Sequence, residues 1–164
     1  MDAASFQHWQ WLFPVAITIH NLEEAIWLPK WSQTAGKWHA GVDAFDFRFA
    51  VAVLTALAWV ATAWSVWGGP GSIGAYCFGG YVAAMLLNVL LPHLAATVGL
   101  RRYAPGLATA LLLNAPVCSW LLLAGVRAGW FTGERLAIAT AIAVPVLLGS
   151  IPVLFRLGRM FRRL

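Results

Sequence analysis

A histidine and two glutamates lie close together inside one of the apolar stretches of the sequence. His20, Glu23 and Glu24 stand at positions i, i+3 and i+4, so on a helix they share one face. A charged group at membrane depth costs at least about 2.5 kcal/mol, and such groups usually face a partner, a cavity or a substrate. These side chains could bind a divalent metal, or they could pair a general acid with a general base. The cluster is the first candidate for function.

A second polar group follows further along the chain. Asn88 and His93 flank Pro92, which has no N–H to donate to the Asn88 carbonyl four residues back. The helix is therefore predicted to kink there and to expose that carbonyl oxygen close to His93. Tyr103 comes next, where it could anchor the chain at the membrane interface or orient a substrate.

Five apolar stretches must position these side chains. With 61% hydrophobic and 10% charged residues, the chain has more apolar surface than one small soluble core could hide. Each stretch has about the 20 residues that a helix needs to cross hydrocarbon. The predicted spans are residues 9–28, 47–67, 73–98, 107–126 and 136–155. The sequence therefore predicts an all-α membrane helix bundle of five transmembrane helices, a single domain over residues 1–164.

The basic residues fall mainly on one side of this predicted bundle. Nine Lys and Arg residues lie on one side and two, Arg127 and Arg135, on the other. The positive-inside rule then puts the N-terminus outside and the C-terminus in the cytoplasm, and we expect the protein in a bacterial cytoplasmic (inner) membrane. The net charge of +5 thus indicates topology, and nucleic-acid binding is not expected. The arginine-rich end of the chain is expected to be held by anionic lipid headgroups.

This orientation places the polar residues in the cytoplasmic half of the bilayer. A polar pocket is predicted there between the first and third spans, which carry His20 and His93. His39, in the connection after the first span, could join the site if that loop folds back.

Three short motifs follow one another in the sequence. They are His20-x-x-Glu23-Glu24, Asn88-x-x-x-x-His93 and Tyr103-x-Pro105-Gly106. In this order they resemble the HXXEE family of small multi-pass membrane proteins, which is named for the first motif. The resemblance runs from the first predicted span to the start of the fourth. It implies that the motif is catalytic, and it assigns no reaction.

Three functions fit these residues. In the first, His20, His93 and Glu23 or Glu24 hold a divalent metal as the one candidate cofactor. In the second, no metal is bound: one glutamate stays protonated as the acid, and a histidine is the base in a hydrolysis, isomerisation or cyclisation. In the third, the cluster relays protons in a small carrier or channel. The sequence has no inverted repeat, which makes alternating access less natural.

The alternative to function is a purely structural role. Polar side chains between membrane helices can hydrogen-bond to one another, at about 0.6 kcal/mol for each contact. That gain is small beside the cost of burying two acids, so we expect an enzyme acting on a hydrophobic substrate. The expected partners are membrane lipids, a lipid-soluble small molecule and a second copy of the chain in a homo-oligomer. The predicted site residues are His20, Glu23, Glu24, Asn88, His93 and Tyr103.

Overall fold

Helices make up all the regular structure of the described chain. The computed structural model describes residues 2–36 and 40–162, with Pro92 described by its backbone alone. His39, the predicted addition to the site, lies outside these residues. The helices are α1 (Ala3–Trp9), α2 (Leu12–Ser32), α3 (Ala44–Gly68), α4 (Ile73–Asn88), α5 (Ala95–Leu100), α6 (Leu107–Thr109), α7 (Ala115–Arg127) and α8 (Gly133–Phe161). Two π-helical segments, Val89–Leu94 and Ala110–Asn114, join α4 to α5 and α6 to α7. The described ranges contain no strand, which confirms the all-α prediction.

Four helical stretches are long and apolar enough to cross a membrane. They are Ala44–Gly68, Ile73–Leu100, Leu107–Arg127 and Gly133–Phe161, close to the last four predicted spans. The chain is therefore built as a multi-pass membrane protein. α2 has 21 residues but does not join these four, since its polar side chains lower its hydropathy. A fifth span and the orientation of the termini stay predictions.

The N-terminal segment differs from the single helix predicted to begin at residue 9. α1 is a separate short helix, and the chain turns before α2 starts at Leu12. Phe6 of α1 is fully buried, with its ring centroid 5.5 Å from that of Trp130. The indole N–H of Trp130 donates to the carbonyl of Ala3 at 3.1 Å. These contacts fix α1 on the loop between α7 and α8.

Small residues bring α4 close to its neighbours. The stripe Ala75, Gly79 and Ala83 predicts close helix packing on one face of this helix. Ala75 is fully buried, and a Cβ on Gly79 would lie 2.8 Å from the Leu136 side chain of α8. α4 and α8 thus approach one another along the predicted face.

The helix that α4 begins is interrupted at Pro92. Leu91 has φ −131° and ψ 115°, the extended conformation that a residue preceding proline favours. The backbone around it, Val89–Leu94, is π-helical before α5 begins. The predicted kink is confirmed, and it changes the direction of the chain two residues before His93.

The end of α8 is fixed to the beginning of α3. Arg162 Nη1 lies 2.6 Å from Asp43 Oδ2, and Arg159 Nη1 lies 3.8 Å from Asp46 Oδ2. Asp43 also caps α3, and the backbone N–H of Asp46 contributes most to holding the pKa of Asp43 below its usual value. Two arginines near the end of the chain therefore pair with acids of their own chain.

Candidate functional site

His20, Glu24 and His93 come together inside the bundle. His20 and Glu24 are one turn apart on α2, and His93 comes from the π-helical segment after α4. One ligand atom from each of the three residues lies within 4.8 Å of the other two. Glu24 Oε1 is 3.4 Å from His93 Nε2, and Glu24 Oε2 is 3.8 Å from His20 Nε2. The structure thus places two predicted histidines and one predicted glutamate where the first and third predicted spans meet.

The three side chains are almost closed to the outside. The His20 side chain is 0% exposed and that of His93 is 2% exposed, whereas Glu24 retains 13%. The two imidazole rings meet edge to face, with their centroids 5.0 Å apart. Any approach to the cluster is therefore on the side of Glu24.

The neighbours of His20 determine which ring nitrogen carries the hydrogen. His20 Nδ1 lies 2.9 Å from Thr109 Oγ1, and that hydroxyl lies 2.7 Å from Glu23 Oε2. The carboxylate is a nearer and stronger acceptor for the hydroxyl than the Gly106 carbonyl at 3.2 Å. With its one hydrogen donated to Glu23, the Thr109 oxygen accepts from the Nδ1–H of His20. His20 Nε2 then carries a lone pair, and it is buried without a hydrogen-bond partner among the described residues.

Asn88 determines the tautomer of His93 in a similar way. Its amide nitrogen lies 3.1 Å from His93 Nε2. An amide nitrogen can only donate, so His93 Nε2 accepts and carries a lone pair. Both imidazoles therefore have an Nε2 lone pair close to the carboxyl group of Glu24, and that of His93 accepts from the Asn88 amide. Asn88, a predicted site residue, takes part through His93.

Glu23 is bound at a different place from Glu24. Its Oε1 accepts from the Tyr103 hydroxyl and from the Gly106 N–H at 2.9 Å. Its Oε2 accepts from the Thr109 N–H at 3.2 Å as well as from the Thr109 hydroxyl. A carboxylate in this position stabilises the beginning of a helix, here α6 and its continuation into α7. Among the described residues, the group able to hold a metal does not include Glu23.

Tyr103 contacts Glu23 and not the histidine pair. Its ring is 49% exposed, and its hydroxyl accepts from the Ala108 N–H at 3.2 Å. Desolvation raises the pKa of Tyr103, and the hydrogen bond to the Glu23 carboxylate raises it further. The phenol therefore keeps its proton and serves as a donor to Glu23.

The chain is similar to a described protein family and to a bacterial protein. A family model described as "Protein of unknown function with HXXEE motif" matches residues 11–121. The chain belongs to the HXXEE family. The uncharacterized protein YrkK of Bacillus subtilis (strain 168) is 41% identical over 146 residues, which cover 89% of this chain and 92% of YrkK. No solved structure matches the chain. The family predicted from the three motifs is confirmed, and the matched residues contain every predicted site residue.

The third motif of the sequence, Tyr103-x-Pro105-Gly106, has a physical explanation at Gly106. This residue has φ 91°, a conformation that glycine adopts without steric cost. A Cβ there would lie 2.6 Å from His93 Cε1 and 3.0 Å from Glu24 Cγ. Tyr103 thus holds Glu23, while Gly106 allows the chain to pass directly beside His93.

Gly106→Ala is expected to lower the free energy of unfolding more than Gly129→Ala does. A left-handed conformation costs a residue with a side chain about 1–2 kcal/mol, and both variants carry that cost. Gly129 has φ 73° with no atom within 4 Å of its Cβ position, so it lacks the additional clash with His93. Denaturant titration in detergent, followed by circular dichroism, measures both losses. Equal losses would contradict the close packing at Gly106.

Thr109 is the site residue that sequence reasoning missed. A threonine in an apolar stretch is ordinary in membrane helices, and no motif spacing points to it. One signal was present: Thr109 is the third residue of the helix that starts after Gly106. The backbone N–H of that position commonly binds a capping acceptor, here the Glu23 carboxylate.

Proposed function

We propose that the protein is a membrane enzyme that binds a divalent metal through His20, Glu24 and His93 and acts on a lipid-soluble substrate. The observation that carries the proposal is the spacing of the ligand atoms. Around a tetrahedral zinc ion, with bonds of about 2.0–2.2 Å, ligand atoms lie about 3.4 Å apart. Glu24 Oε1 lies 3.4 Å from His93 Nε2, Glu24 Oε2 lies 3.8 Å from His20 Nε2, and one ligand atom from each of the three residues lies within 4.8 Å of the other two. These separations are long for hydrogen bonds and suit ligands of one cation.

Three protein ligands are the set found in catalytic rather than structural zinc sites. A fourth position is then open to water or substrate. The metal would supply a Lewis acid or an activated water. The protein side chains hold the ligands: Thr109 bonds His20, and Gly106 packs against His93. This arrangement favours hydrolysis or isomerisation of a hydrophobic small molecule.

α2 is proposed as the fifth span, with the N-terminus outside and the C-terminus in the cytoplasm. A helix of this length reaches about 30 Å, the thickness of the hydrocarbon core. Its exposed side chains include Ile19, Leu22 and Ile26, whereas His20 and Asn21 are buried. An apolar outer face with polar groups turned inward is what a lipid-facing span requires. The bacterial relative fits the proposed cytoplasmic membrane.

A second candidate is acid–base catalysis without a metal. The contact of the Asn88 amide with His93 Nε2 favours it, because the amide occupies the position where a metal would bind. Glu24 would then exchange a proton with the substrate while His20 or His93 serves as the base.

Metal analysis of purified protein separates these two candidates. Wild-type protein in detergent, incubated with Zn²⁺ and freed of unbound ions by gel filtration, is expected to retain about one zinc per chain, the content of one three-ligand site. His20→Ala is expected to lose it, since one of three ligands is gone. His8→Ala, which changes an exposed histidine of α1, is the matched control and should keep its zinc. A folded wild-type protein that retains no metal after separate incubations with Zn²⁺, Mn²⁺ and Fe²⁺ would favour the metal-free candidate.

A further inference from the structure

We infer that Thr109 and Glu23 are positioning residues that act through His20 and hold its Nε2 lone pair toward the metal. The inference rests on the proposed function. It concerns a connected set of contacts that links two residues of the first motif through Thr109: Glu23 to Thr109 at 2.7 Å, then Thr109 to His20 at 2.9 Å.

The direction of these hydrogen bonds fixes the tautomer of His20. A hydroxyl has a single hydrogen, and Glu23 accepts it from Thr109. The same oxygen can then only accept from His20, so the hydrogen of the neutral imidazole stays on Nδ1. Without this acceptor, the hydrogen could move to Nε2 and remove the lone pair that a metal needs.

Histidines that bind metals commonly donate their second N–H to a nearby acceptor. That acceptor fixes the ring orientation and makes the ligand nitrogen more basic. A carboxylate, a carbonyl or water usually has this role. Here a threonine hydroxyl lies between the histidine and the carboxylate, so the effect of Glu23 on His20 is transmitted through Thr109.

Glu23 is well suited to a fixed role because it cannot readily turn toward the metal. Its two oxygens accept from Tyr103, from the Gly106 N–H and from the N–H and hydroxyl of Thr109. Moving Glu23 to the ligand group would leave the start of α6 without these bonds. The adjacent acids of the motif therefore divide their roles: Glu24 is a ligand and Glu23 a positioning residue.

The first test compares two substitutions of Thr109 in zinc affinity. Thr109→Val keeps the shape of the side chain and removes the hydroxyl, so zinc binding is expected to weaken about 10–100-fold, the usual effect of an outer-shell change. Thr109→Ser keeps the hydroxyl and should restore most of the affinity. Thr62→Val is the matched control, since Thr62 is fully buried and its hydroxyl bonds the carbonyl of Ala58 in its own helix. Competition with a chromophoric chelator measures each affinity, and wild-type affinity in Thr109→Val would overturn the inference.

The second test observes the tautomer directly and does not depend on zinc. Nitrogen-15 NMR of histidine-labelled, metal-free protein distinguishes a protonated from an unprotonated ring nitrogen, and the His20→Ala spectrum identifies the His20 signals. The wild type is expected to show hydrogen on Nδ1, and Thr109→Val a mixture of tautomers. Hydrogen on Nε2 in the wild type would overturn the inference even if the valine variant does not fold. The expected tautomer in a protein that binds no metal would instead count against the proposed function alone.

Discussion

Glu24→Gln is expected to abolish zinc binding, whereas Glu23→Gln is expected to weaken it by about 10–100-fold. Glu24 lies beside both Nε2 atoms, and a neutral amide replaces its carboxylate poorly as a metal ligand. In Glu23→Gln the side chain keeps its length, but its NH₂ group can only donate. It therefore cannot accept one of the hydrogen bonds that the Glu23 carboxylate accepts. The hydrogen bond between residue 23 and Thr109 then weakens, and with it the hold on His20, but no metal ligand is lost.

Zinc titration of the two variants in the same detergent, with chelator competition, tests this difference. Glu134→Gln is the matched control because Glu134 is an exposed acid at the start of α8. Circular dichroism confirms that each variant is folded. Equal losses in the two variants, or a larger loss in Glu23→Gln, would contradict the division of roles between adjacent glutamates.

The sequence predicts the members of the site better than it predicts their roles. The spacing i, i+3, i+4 places His20, Glu23 and Glu24 on one face of a helix, and the pattern alone treats the two acids alike. Neighbouring residues on a helix nevertheless point about 100° apart, so they can meet different partners. The segment from Gly106 to Thr109 contacts Glu23 and leaves Glu24 to the histidines. Only tertiary structure brings that segment to α2.

The spans are predictable because bilayer thickness sets their length. A run of about 20 apolar residues predicts a helix almost regardless of its neighbours, as for α3 and α7. α1 is too short to be stable alone, and its helix depends on the contact of Phe6 with Trp130, far apart in the sequence. The predicted last span ends at residue 155, but α8 continues to Phe161, since Arg159 and Arg162 pair with the start of α3.

Pro92→Ala is expected to weaken zinc binding at least about tenfold, the lower end of the loss from outer-shell changes, without lowering the stability of the protein. Leu91 is extended because a following proline disfavours the helical conformation. Alanine at position 92 removes that restriction and supplies an N–H for the Asn88 carbonyl. The helix can then continue through residue 91, which turns His93 away from Glu24.

The combination of a weaker site with an unchanged or higher stability is what identifies the role of this proline. A proline inside a helix costs about 3 kcal/mol, so proline at this position lowers the stability of the protein. In return it directs His93 toward Glu24. Pro152→Ala is the matched control, because Pro152 lies inside α8, where the helix continues without a break. It should relieve a similar cost and leave zinc affinity unchanged. If Pro92→Ala binds zinc as tightly as the wild type, the helix break is maintained by tertiary packing and not by the proline. The positions of Asn88 and His93 would then depend on the segments that pack around them.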